Sequence, residues 1–251
     1  RIVGGERVWM STDVELQTET TITIGAGTTV QRRCSINGST RIGTGCIFAP
    51  NVFVSSGTHP FRFIPHLPIS EQERRVAASP AHVVAVDRPV WIQDGCWLGA
   101  NVVVCPGVTI RKGSVIGANS VVTRDVLPYT VVAGAPVRPI GTRMAWAPRR
   151  TVDPGSESDW PYILGGRLRP AASGQRACVE ADVEVPVCVA LAGEPAEGIA
   201  IEWVALSSVE FAVGSRRFKV DAGNGQMEVP ADAVPATAGV RWCTIAIIGA
   251  P

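Results

Sequence analysis

Imidazole is the side chain whose ordinary pKa, about 6.5, lets it take up a proton near neutral pH. The chain holds three: His59, His66 and His82. His59 stands in the segment SSGTHPF, where it could take a proton from a hydroxyl or an amine that is about to act as a nucleophile. Three histidines are also the number a catalytic zinc site uses. Only His59 borders a regular pattern, and the other two lie in an irregular stretch, so no metal is expected. The seven cysteines, at 34, 46, 96, 105, 178, 188 and 243, form no CxxC pair. That excludes the usual structural zinc and thioredoxin motifs. The odd count and the length of the chain argue against a disulfide-stapled domain.

The element that positions His59 is a repeat. Steps of six from Ile24 give Ile24, Val30, Ile36, Ile42, Phe48 and Val54; steps of six from Val86 give Val86, Ile92, Leu98, Val104, Ile110, Ile116 and Val122. Every position is apolar. Four residues after each stands a small or β-branched residue: Thr28, Cys34, Thr40, Cys46, Val52, Thr58, Val90, Cys96, Val102, Val108, Ser114, Ser120 and Val126. A period of six fits neither a helix nor a simple two-residue alternation. It fits a solenoid of short strands, with a corner after each six residues and Gly or Asn supplying the unusual corner angles. The apolar column fills the interior, and Cys34, Cys46 and Cys96 fall in the small inward column as packing residues. His59 is the sixth residue of its hexapeptide and so faces outward. Trp97 shares that phase, as does Trp91. About 20 residues, RIVGGERVWMSTDVELQTET, precede the repeats.

The six-residue step stops between residues 60 and 85, a stretch rich in Pro and charge. A long excursion from a regular scaffold is usually a functional loop. His59 stands where that loop begins.

The stretch IGTGCIFAPNVFVSSGTHPF, the loop, and then VWIQDGCWLGANVVVCPGVTIRKGSVIGANSVVTRDVLPYTVVAGAPVRPI together resemble the hexapeptide-repeat acyltransferases, and within them the galactoside- and maltose-type and polysaccharide sugar O-acetyltransferases. The resemblance covers about residues 24–143. It implies a left-handed parallel β-helix, with acetyl-CoA as acyl donor and a sugar or glycan as acceptor. It implies that His59 is the general base, through the family's xTxHP or xxGHP segment. It implies that Trp97 lines the active-site channel, with Trp91 the second choice. By the same matching, Ala100, Ala118 and Thr123 would lie along the pantetheine arm. Arg124 and Arg138, with Arg143, would meet the phosphates of the cofactor, which suit guanidinium groups; Arg111 and Lys112 follow the same logic. The family assembles as homotrimers with sites between neighbouring helices. Asp13 or Glu15 would be the nearest equivalents of the family's acidic acceptor-site residue.

Composition sets the outer bounds. Of 251 residues, 46% are hydrophobic and 18% charged, with 26 Gly and 19 Pro. This excludes disorder and a coiled coil. Residues 1–150 hold 16 Lys and Arg against 9 Asp and Glu, a net +7; residues 151–251 hold 7 against 13, a net −6. The split proposes two domains. A net +7 over 150 residues is modest for a nucleic-acid partner, and it suits a phosphorylated cofactor. No apolar run approaches the ~20 residues of a membrane span, and no signal peptide is visible, so a cytoplasmic protein is expected. The second half, residues 151–251, opens with a linker-like TVDPGSESDWP. It continues in β-branched runs at 177–190, 199–206, 209–220, 226–229 and 240–248, separated by turn-rich segments. Trp203, Phe211, Phe218 and Trp242 read as core aromatics. The expected class is therefore all-β: a left-handed parallel β-helix with an interrupting loop, then a smaller β-rich, sandwich-like domain of unknown role. An acceptor such as an amino sugar or antibiotic, or a non-catalytic β-solenoid scaffold or binding module, are the alternatives.

Overall fold

The computed structural model describes residues 1–77, 87–145, 147, 152–153, 156–164, 167–169, 178–180, 187–192, 199–205, 209–213, 216–230, 236–237 and 240–249. Its contacts divide the chain into two units, Arg1–Trp146 and Ala147–Pro251.

The first unit is a three-sided parallel β-solenoid, as the six-residue period requires. Each coil gives one short strand to each wall. The first coil is β1 (Ile2–Gly4), β2 (Trp9–Met10) and β3 (Glu15–Gln17); the second is β4 (Ile22–Ile24), β5 (Thr29–Val30) and β6 (Ser35–Asn37). The third is β7 (Thr40–Ile42), β8 (Ile47–Phe48) and β9 (Phe53–Ser55). The loop helix α1 (Ile69–Ala77) intervenes before the fourth coil, β10 (Val90–Ile92), β11 (Trp97–Leu98) and β12 (Val103–Val104). The fifth is β13 (Thr109–Ile110), β14 (Val115–Ile116) and β15 (Val121–Val122), closed by β16 (Thr130–Ala133) and β17 (Arg138–Thr142). The first wall runs β1-β4-β7-β10-β13, the second β17-β16-β14-β11-β8-β5-β2, and the third β15-β12-β9-β6-β3. Every pairing is parallel except β16 with β17.

The interior is the two columns. From Ile24 to Val122 every described residue of the apolar column is at most 3% exposed; Val86 lies outside the described residues. Each such side chain removed from water contributes about 1.5–3 kcal/mol. In the small column Thr58 is the exception. It is exposed, because the chain has already left the wall, and Val90 takes the wall position where the fourth coil begins. Two corners recur in the left-handed backbone region. Gly27, Gly45, Gly95 and Gly113, with Arg7 and Tyr129, turn the chain from the first wall to the second. Asp13, Arg33, Asn51, Asn101 and Asn119 turn it from the second to the third. The last three also form a ladder: Asn51 Nδ2 donates to Asn101 Oδ1, and Asn101 Nδ2 to Asn119 Oδ1, each at 2.9 Å.

Two expectations change. The first 20 or so residues do not simply precede the solenoid; residues 1–17 are its first coil. Gly4, Met10 and Leu16 pair with Ile24, Val30 and Ile36. Twenty residues separate Gly4 from Ile24, whereas eighteen separate Ile24 from Ile42. The two extra residues lie in the link between β3 and β4 and break the phase of the six-residue step. The excursion after residue 60, read as an irregular loop, contains α1. It interrupts the solenoid without disturbing it, since Ile42 still pairs with Ile92 in register.

The second unit is antiparallel. Its largest sheet joins Ile163–Leu164, Val187–Ala192, Val240–Gly249, Val209–Val213 and Arg216–Val220, with Ala236–Thr237 also on Val240–Gly249. Arg167–Arg169 pairs with Cys178–Glu180, and Ile199–Ala205 with Gly223–Val229. The expected linker at 151–161 is in part a 3-10 helix, Glu157–Tyr162, in which Asp159 and Tyr162 are buried; Asp159 also accepts from the Asp153 amide at 3.0 Å. Phe211 and Phe218 stack at 5.6 Å between ring centres. The side chains of Trp203 and Trp242 lie outside what is described.

Candidate active site

His59 stands just beyond the corner between the third wall and the first. It is largely exposed, and its Nδ1 contacts Glu73 Oε1 on α1. Local chemistry puts Glu73 there. Pro68 precedes the helix, and its carbonyl accepts from the Glu71 and Gln72 amides at 3.0 Å. Gln72 is 1% exposed and staples the loop from inside: its Oε1 accepts from the Ile64 amide at 2.9 Å, and its Nε2 donates to the Leu67 carbonyl at 2.9 Å. Val76 is buried on the same helix. Glu71, in the first turn, binds Arg74 and Arg75, and these two guanidinium groups hold its carboxyl below the usual range. In the tautomer whose Nδ1–H donates to Glu73, the lone pair of His59 lies on Nε2, the arrangement that makes an imidazole a directed base,.

The residues expected along the cofactor fall into two places. Ala100 and Ala118 stack one coil apart at the corner between the second and third walls, where the Asn119 amide donates to the Ala100 carbonyl at 2.8 Å. The coils touch closely there: a Cβ on Gly99 would meet the Ala118 amide nitrogen at 2.6 Å. Thr123 and Arg124 follow β15 and are exposed. The Arg124 guanidinium donates to the Val137 carbonyl at 3.1 Å, which brings it beside Arg138 at the start of β17.

Trp97 and Trp91 are parted. Trp91 lies on the first wall, paired with Arg41 and Thr109, and Trp97 on the second, paired with Ile47 and Val115. Trp97 is 51% exposed and lines a groove of about 1010 Å³ with Ile47, Val115, Asp94, Lys112 and Arg143. Burial pushes the Lys112 amine below its ordinary value, against the pull of Asp94. Arg143 donates to the Gly113 carbonyl at 2.9 Å. Lys112 and Arg143 therefore belong to the Trp97 groove, away from Arg124 and Arg138. Asp13 sits at a corner of the first coil and Glu15 on β3, both exposed.

Cys34, Cys46 and Cys96 are buried free thiols inside the solenoid. Burial pushes the Cys34 thiol up and that of Cys96 well up, which suppresses the thiolate that a nucleophile needs,. Among the described residues, no group of three or more His, Cys, Asp or Glu side chains could hold a metal ion. His66 is exposed on the loop, and His82 lies outside the described residues. No helix among the described residues is long and apolar enough to cross a membrane.

Glu73 escaped the sequence reading. Its signal was a Pro followed by an amphipathic run, ISEQERRVA, inside a stretch that looked merely charged.

Comparison with known proteins adds to this geometry. The family described as bacterial transferase hexapeptide (six repeats) matches residues 89–124. An acetyltransferase of Schizosaccharomyces pombe is 39% identical over 99 residues, 39% of this chain and 41% of that protein. The galactoside O-acetyltransferase of Escherichia coli is 33% identical over 138 residues, 54% of this chain and 61% of that protein. The solved structure of a hexapeptide-repeat acetyltransferase of Vibrio cholerae with acetyl coenzyme A is 29% identical; the match covers 55% of this chain and 69% of that one, with a TM-score of 0.44. The chain thus spans between about two-fifths and three-fifths of the length of these curated relatives. Its outward histidine, its interrupting loop and its six-residue columns all belong to one solenoid, and that solenoid carries the bacterial transferase hexapeptide repeat.

Proposed function

We propose that this chain is an O-acetyltransferase that moves an acetyl group from acetyl-CoA to a sugar hydroxyl, on a surface polysaccharide or lipopolysaccharide. The observation that carries the reading is the exposed His59 imidazole, whose Nδ1 is held by Glu73 so that Nε2 is the nitrogen left to take a proton. Nε2 takes the proton of the acceptor hydroxyl as its oxygen attacks the thioester carbonyl carbon. The tetrahedral oxyanion collapses, the carbon–sulfur bond breaks, and the imidazolium returns the proton to the departing CoA sulfur. The products are an acetyl ester and free CoA, with no acyl-enzyme. The buried, upshifted cysteines support this direct route.

The donor would lie along the edge that carries Ala100 and Ala118, with Arg124 and Arg138 meeting its phosphates. That edge and the one bearing His59 flank the third wall. One outer wall makes a shallow pocket, whereas two facing walls make a cleft. We therefore place the site between two copies in a homotrimer.

The test is His59→Ala assayed with acetyl-CoA and a panel of glycans. A fall in turnover of about 10²–10⁴-fold is expected for loss of a general base. Unreduced acetyl transfer would defeat the mechanism.

A further inference from the structure

The loop that carries His59 leaves the solenoid after Ser56 and returns at Asp87, and the two ends meet in a built neck. Gly57 and Asp87 form an antiparallel bridge, and the Arg88 amide donates to the Ser56 carbonyl at 2.8 Å. Ser56 is fully buried. Its hydroxyl accepts from the Ser39 amide at 2.7 Å and donates to Asp87 Oδ1. The Ser39 hydroxyl, from the coil before, donates to Asp87 Oδ2. Thr20 Oγ1 lies 2.6 Å from that hydroxyl and, since the Ser39 proton is committed to Asp87, is its donor. One carboxylate thus ties the departing chain, the returning chain and the neighbouring coil. The space is closed as well: Gly38 has φ +74°, and a Cβ on it would meet Ser56 Oγ at 2.0 Å and Asp87 Oδ1 at 3.5 Å.

His59 is three residues beyond Ser56. Its partner Glu73 and the Gln72 staple lie within the loop itself. Those contacts fix the imidazole relative to the loop but not relative to the walls. Among the contacts described, the neck is what joins the loop to the walls. We propose that Asp87 is a positioning residue for His59: its two hydroxyl contacts set where the loop, and with it the base, stands against the solenoid. The inference rests on reading His59 as the base. The sequence alone gives no hint of it, since Asp87 is an unremarkable acid in AVDRPV and its partners lie 31 and 48 positions away.

The experiment compares Asp87→Ala and Asp87→Asn in the full chain. Asparagine keeps an acceptor for Ser56 and offers an N–H to the Ser39 oxygen. Misplacement of a reacting group costs up to about 100-fold in rate, so Asp87→Ala is expected to lower kcat at least about tenfold while KM for acetyl-CoA changes less than about twofold. Asp87→Asn is expected to recover most of the loss. A kcat for Asp87→Ala within twofold of the parent, or equal losses in both variants, overturns the proposal. If Asp87→Ala loses the circular dichroism of the solenoid, Ser39→Ala takes its place, removing one arm with the same split between kcat and KM. Hydrogen exchange separates this inference from the reading it rests on. If the parent chain transfers no acetyl group, the acetyltransferase reading fails. The neck is then decided by whether Asp87→Ala speeds exchange at residues 57–77 by about tenfold while residues 89–124 stay protected. Unchanged exchange there overturns the proposal.

Discussion

An exposed imidazole rotates and exchanges tautomers freely unless something holds one nitrogen. For His59 that something is the Glu73 carboxylate. On the proposed reading two jobs are combined there: orientation of the ring, and stabilisation of the imidazolium once the proton has moved. They can be separated. Glu73→Gln keeps an oxygen on Nδ1 but removes the charge, whereas Glu73→Ala removes both. Turnover is expected to fall by roughly tenfold or more in Glu73→Ala and by less in Glu73→Gln, with KM for acetyl-CoA little changed, because misplacement of a reacting group costs up to about 100-fold. Steady-state kinetics of the pair checks this; equal, full activity in both would mean the contact does not act on the base. His59 was legible in the sequence because it breaks a repeat. Glu73 was not, because its contact depends on how the chain folds back over the 14 positions that separate it from His59.

At the scale of elements, what the sequence announces is the column. A six-residue step of apolar residues needs only a three-sided wall to be satisfied, and every described member of the column between Ile24 and Val122 is buried. What it hides is phase. Met10 and Leu16 belong to the same column as Val30 and Ile36, yet two residues inserted at 18–21 make them look unrelated. Two glycines of the coils separate two physical requirements. Gly25 needs closeness: a Cβ there would meet the Gly43 carbonyl carbon at 2.4 Å and the Thr44 nitrogen at 2.5 Å. Gly45 needs only its angle, φ +64°, with nothing within 4 Å of a Cβ. Gly25→Ala is therefore expected to cost about 3 kcal/mol, since backbone rather than a side chain must yield. Gly45→Ala is expected to cost only about 1 kcal/mol, the penalty of the left-handed region. Asn51, Asn101 and Asn119 occupy the same region at the next corner without a glycine. Thermal unfolding of the two variants distinguishes them: a smaller loss at Gly25 than at Gly45 would contradict close packing of the second and third coils.

At the scale of the molecule, the question is whether one chain makes a whole site. His59 marks one edge of the third wall, and Ala100 and Ala118 mark the other. Six residues of extended chain span at most about 20 Å, so the wall between them is wide compared with the roughly 3.5 Å at which a base and its target react. A pantetheine arm could bridge that width on a single wall, or a neighbouring copy could bring its own edge to His59. The two arrangements differ in what mixing does. Take one population with His59→Ala and another with Ala118→Trp, which fills the proposed donor edge at an exposed position. If each site lies within one chain, every site in the mixture keeps a defect and nothing is recovered. If each site pairs the His59 edge of one copy with the Ala118 edge of the next around a closed ring, random co-assembly leaves both partners intact in about a quarter of the interfaces, whatever the ring size. Recovery near a quarter of the parent activity after the two inactive variants are unfolded and refolded together, and none after simple mixing of assembled rings, is the expected outcome. Zero recovery in the refolded mixture would return the site to a single chain and leave the third wall as its floor.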